Sequence, residues 1–146
     1  MEKAIALILT LLVGGLVAFQ PPANALLARH VGDLGAAFSS LLLSTLIVGT
    51  LLLLAGEAGQ LGGLAHYRPE HSLGAIAGAA VVLVSLIAVR TLGALGVAGA
   101  LVAMQLIVSA LADRLAILGL DEEPLSSARL LGIALLIAGT ALVVSR

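Results

Sequence analysis

The stretch from Ala94 to Leu118, ALGVAGALVAMQLIVSALADRLAIL, is dominated by Leu, Ala, Val, Ile and Gly, with one acid, Asp113, and one base, Arg114. A membrane-crossing helix needs about 17–25 largely apolar residues. A strand of a membrane barrel would instead alternate polar and apolar side chains over about ten. The run therefore reads as a helix in a bilayer. Runs of the same kind lie at approximately 4–28, 36–55, 73–89 and 128–144, so the expectation is one all-α, polytopic membrane domain over 1–146 with five transmembrane helices.

Composition agrees with this. Of 146 residues, 61% are apolar and 10% charged, with a mean hydropathy of +1.22. Soluble domains run about 45–50% apolar and about 25% charged; this chain cannot cover itself with a polar surface. A net charge of -1, no basic run and almost no aromatic side chains argue against a nucleic-acid partner. There is no cysteine, no nucleotide-binding loop, no HExxH and no Gly-x-Ser-x-Gly, so no catalytic residue, metal site or cofactor is expected.

The connections are short. Arg29-His30-Val31-Gly32-Asp33 joins the first two runs and Arg90-Thr91-Leu92-Gly93 the third and fourth. Gly56 to Ser72 is the longest, and Asp121-Glu122-Glu123-Pro124 precedes the fifth, with Ser126 or Ser127 as its cap. Met1-Glu2-Lys3, an apolar stretch and Ala23-Asn24-Ala25 mimic a secretory signal, but one Lys and four later runs favour a retained first helix.

Five crossings put the termini on opposite sides. The N-terminal side then carries Lys3, Arg68, Arg114 and Arg129, and the other side Arg29, Arg90 and Arg146. Basic residues near span ends set orientation, and four against three sets almost none. The expectation is insertion both ways up and pairing with a second copy in inverted orientation, giving a ten-helix bundle. Inversion-related halves are what alternating access requires.

Polar side chains in hydrocarbon are costly unless they meet a partner or a wet cavity. Gln105, Ser109 and Asp113, four apart, share one helical face, as do Gln20 and Asn24 around Pro21-Pro22, where a helix break is expected. In an inverted pair, Gln20 and Asn24 of one chain lie level with Asp113 of the other. Gln20, Asn24, Ser40, Gln105 and Ser109 are the candidates for lining a substrate pathway. Asp113 is the candidate coupling or cation-binding acid. Ser39, Ser44, Thr45 and Ser85 are expected to bond back to their own helices. Gly74 and Gly78 form a GxxxG suited to close helix packing.

Gln20, Asn24, Gly32, Ala36, Ser40 and Gly49 resemble the opening of the YdcZ-like family (domain-of-unknown-function family 606) of the drug/metabolite transporter superfamily. So do Gln105-Leu106-Ile107-Val108-Ser109 with Asp113 and Gly119, and Arg129-Leu130-Leu131-Gly132 with Gly139. The resemblance covers nearly the whole chain. It implies a five-helix half-transporter in a bacterial inner membrane, with single members forming inverted dimers. Family members often carry tryptophans before the third span, where this chain has His66-Tyr67-Arg68-Pro69-Glu70-His71. The combined reading is a secondary transporter of a small metabolite or hydrophobic compound, its partners being its own copy, membrane lipids and an unidentified small molecule. The rival readings are a subunit of an obligate heterodimer and a non-transporting scaffold or lipid-interacting protein.

Overall fold

The computed structural model describes residues 3–116, 124 and 126–145. All regular structure among them is helical: α1 (Lys3–Leu54), 3-10 segments at Ala58–His66 and Pro69–His71, α2 (Ser72–Arg114) and α3 (Ser127–Val144). All three of these α-helices are long and apolar enough to cross a membrane. Their apolar side chains face outward: Phe19 is 73% exposed, Leu54 80% and Leu142 76%. Such a surface is stable only when lipid or protein covers it.

A straight helix as long as α1 would measure about 78 Å, more than twice the roughly 30 Å of bilayer hydrocarbon. It is not straight. Gly32 interrupts α1 at φ 74°, ψ 168°, and Gly93 interrupts α2 at φ 69°, ψ 169°. That conformation is open essentially to glycine alone. Each break separates two helical limbs, 3–31 from 33–54 and 72–92 from 94–114. The connections expected at 29–33 and 90–93 thus shrink to one non-helical residue each.

The two breaks are copies of one local design. Arg29-His30-Val31-Gly32-Asp33-Leu34-Gly35-Ala36-Ala37 aligns with Arg90-Thr91-Leu92-Gly93-Ala94-Leu95-Gly96-Val97-Ala98 as Arg-x-x-Gly-x-Leu-Gly-x-Ala. The glycine three residues past each break is also matched. A Cβ on Gly35 would lie 3.1 Å from Val31 Cβ, and one on Gly96 would lie 3.1 Å from Leu92 Cβ. Each bare glycine therefore leaves room for the residue just before the break.

The chain forms two compact units, Met1–Arg90 and Thr91–Arg146. The core of the first is Ala28, Ala36, Ala37, Val82 and Leu86, with Leu41 and Leu83 packed on it. Three alanines at its centre allow the helix backbones to approach closely, the usual route to packing where lipid removes any hydrophobic drive. In the second unit, α3 lies on limb 94–114 through small residues. A Cβ on Gly99 would lie 3.4 Å from Thr140, whose Oγ1 donates to the Gly99 carbonyl at 3.2 Å.

Several expectations need correction. Pro21 and Pro22 do not break the helix: the only non-helical residue inside α1 is Gly32. A proline φ near -65° fits a helix, and Pro21 is buried among neighbours that hold the turn. The loop 56–72 is largely 3-10 helix. α2 ends at Arg114, and positions 117–123, which include the acids Asp121, Glu122 and Glu123, lie outside the described residues. Gly74 and Gly78 face open space, so their motif packs no helix among the described residues. The cap of α3 is Ser126, whose side chain accepts from the Arg129 amide at 3.3 Å.

Candidate functional site

Ser109 and Asp113 meet in one cavity. It measures about 320 Å³ and is lined by Leu106, Ser109, Ala110 and Asp113 of limb 94–114 and by Arg129, Gly132, Ile133 and Leu136 of α3. The i, i+4 spacing of Ser109 and Asp113 turns both toward α3. Gly132 opens the opposite wall by lacking a side chain. The polar groups are one hydroxyl, one carboxyl and one guanidinium on an otherwise apolar lining, a composition suited to a mostly apolar solute with a few oriented polar atoms. Arg129 was not among the site residues read from the sequence. Its proximity to Asp113 depends on how α3 docks, which spacing within one helix cannot reveal. Gln105, one turn from Ser109, is exposed and lies outside this lining.

The other candidates lie in the first unit. Asn24 is 7% exposed, and its Nδ2 has no hydrogen-bond partner. A buried amide donor left unmatched costs about 1–3 kcal/mol, so it stands ready for an acceptor. Gln20, one turn earlier, is half-buried. Ser85, eight residues before Gly93 as Asn24 is before Gly32, is 3% exposed and bonds to the Val82 carbonyl at 3.3 Å. The repeat thus sets one buried polar group at the same step ahead of each break.

The hydroxyls of limb 33–54 behave unequally. Ser39, Ser44 and Thr45 donate to carbonyls four residues back at 2.8–2.9 Å, as expected of hydroxyls in a helix. Ser40 differs: half-buried, its hydroxyl makes no hydrogen bond among the described residues, while its carbonyl accepts from Ser44. Among the described residues, no group of three or more His, Cys, Asp or Glu is arranged to hold a metal ion.

A further feature of the first unit joins limb 72–92 to limb 33–54. Arg90 Nη1 donates to Asp33 Oδ2 at 3.1 Å and Nη2 donates to Oδ1, a two-pronged pair between 72–92 and the first residue after Gly32. Beside it lies a cavity of about 480 Å³ lined by Pro22, Ala25, Leu26, Arg29, Val89 and Arg90.

Comparison with protein families matches residues 5–142 to the one described as "Putative inner membrane exporter, YdcZ". No curated protein and no solved structure matches the chain. The match takes in all of α2, nearly all of α1 and α3, both glycine breaks and the linings of both cavities. The family is one of transporters rather than enzymes, and the outward-facing apolar helices agree with it. The chain belongs to the YdcZ family and is an integral protein of the inner membrane.

Proposed function

We propose that the chain is half of a secondary exporter for a small metabolite or hydrophobic compound, working by alternating access as a dual-topology antiparallel homodimer. Its helical segments 3–31, 33–54, 72–92, 94–114 and 127–144 each cross the bilayer once, and two inverted copies enclose the pathway. Gln20, Asn24, Ser40, Gln105 and Ser109 line that pathway, and Asp113 couples transport to a proton or other cation. The observation that carries this reading is the apolar cavity lined by Ser109, Asp113 and Arg129 in a chain of an exporter family. The nearly even basic flanks support inverted pairing. The unmatched Nδ2 of Asn24 supports a polar contact made only with a solute or a second subunit.

Two measurements test the reading. Tags at each terminus, probed with a membrane-impermeant reagent on intact cells and on inverted vesicles, are expected to label from both sides. Labelling from one side alone would overturn the antiparallel dimer, and a purified chain that stays monomeric would point to a heterodimer. In proteoliposomes, a fluorescent hydrophobic compound is expected to move against its gradient when a pH gradient is imposed. Passive leak identical to protein-free vesicles across a panel of such compounds would argue for a scaffold instead.

A further inference from the structure

The cavity beside the Asp33–Arg90 pair is built from equivalent parts of the repeat. Arg29 and Arg90 each sit three residues before a break glycine, and both line the same space. The acid that follows Gly32 has no counterpart after Gly93, where the residue is Ala94. One carboxylate therefore stands against two guanidinium groups and can pair fully with only one. Asp33 is engaged through both oxygens by Arg90. Arg29 is exposed and makes no ion pair among the described residues. Asp33 with the two arginines carries a net charge of +1, and the cavity's remaining lining, Pro22, Ala25, Leu26 and Val89, is apolar.

An arginine that merely snorkels reaches free headgroup water along its own helix. Here two arginines from different limbs open onto one walled space, and one of them is already immobilised. Fixing Arg90 removes part of the ordering cost of binding an anion. Arg29 keeps its planar fork of donors, which matches the oxygens of a phosphate group. Basic pockets between membrane helices select phospholipid headgroups on the same grounds.

We propose that this cavity binds a phosphate group, that of an anionic phospholipid, with Arg29 as the principal ligand, Arg90 as the second and the apolar wall against the glycerol and upper acyl chain. Its lining shares no residue with that of the Asp113 cavity, and the proposal does not depend on the transport reading.

The test uses the full chain purified in neutral detergent, and its readout is retention of phosphatidylglycerol by native mass spectrometry. Arg29→Gln is expected to lower retention at least fivefold, and Arg68→Gln, which removes the same charge from the 56–72 connection, to leave it unchanged. Arg90→Gln also frees Asp33, so it is expected to lower retention further. Unfolding of Arg29→Gln in lipid-free detergent should match the parent, showing that the fold is intact. Equal retention in the parent and Arg29→Gln, or an equal fall with Arg68→Gln, would overturn the proposal. A competition arm identifies the source: displacement by short-chain phosphatidylglycerol but not by millimolar inorganic phosphate supports the lipid headgroup. Displacement by inorganic phosphate at equal concentration would overturn the lipid assignment.

Discussion

Arg90 and Asp33, 57 residues apart, form a two-pronged ion pair that ties limb 72–92 to the point where α1 breaks. Both side chains remain partly exposed, at 45% and 36%, so the pair is expected to contribute about 1 kcal/mol at most. Arg90→Ala and Asp33→Ala should each lower the unfolding midpoint in detergent, and their double variant should lose less than the sum. Strict additivity in that cycle would mean the two do not interact in solution.

Gly32→Ala and Gly93→Ala should each destabilise by about 1–3 kcal/mol, the strain of a backbone conformation that a Cβ opposes. A Cβ at either site would meet no atom within 4 Å, so the penalty is conformational and not steric. Gly14, which is equally open and has an ordinary helical conformation, serves as control: Gly14→Ala should be neutral or stabilising. Unfolding monitored by circular dichroism distinguishes the two classes.

Gly99→Leu should loosen α3, because Thr140 already sits at 3.4 Å from the Cβ position. Thr140→Val removes the hydrogen bond to the Gly99 carbonyl and should cost about 0.6 kcal/mol. Gly139→Ala, in open space, should change nothing measurable. Protease sensitivity of α3 in detergent is the readout.

Asn24→Leu should leave the fold as stable or more stable, since it removes an unmatched buried donor. Under the proposed function, the same change should reduce transport. Thermal unfolding and proteoliposome flux measured on one preparation separate the effects. A stable variant with unchanged flux would take Asn24 out of the pathway.

Asp113→Asn should abolish flux driven by a pH gradient while leaving downhill exchange of the same compound in place. Retention of coupled flux would remove Asp113 from the coupling role.

Much of the architecture was legible in the sequence because it follows from local rules. The solid apolar runs specify helices in lipid, Ser126 caps α3, and the hydroxyls of Ser39, Ser44 and Thr45 fold back as their helical positions dictate. The connections 29–33 and 90–93 do contain the break glycines, Gly32 and Gly93, but each interruption is one residue long, and Pro21-Pro22, where a break is expected, stays helical. The shared Arg-x-x-Gly-x-Leu-Gly-x-Ala pattern was the available signal, visible only when the two connections are aligned. At the candidate site, spacing puts Gln105, Ser109 and Asp113 on one face; Ser109 and Asp113 line one cavity and Gln105 lies outside its lining. Arg129 joins the lining of that cavity, and Arg90 meets Asp33, only through tertiary packing, which no single-helix periodicity encodes.

A joint one residue long has no slack. The limbs meeting at Gly32 cannot pay out chain to slide past each other. Under the proposed function, a stroke within the first unit is taken up where the chain has length to give. The exposed 3-10 stretch from Ala58 to His71 has no buried residue to anchor it, and under that reading a crosslink there should stall transport.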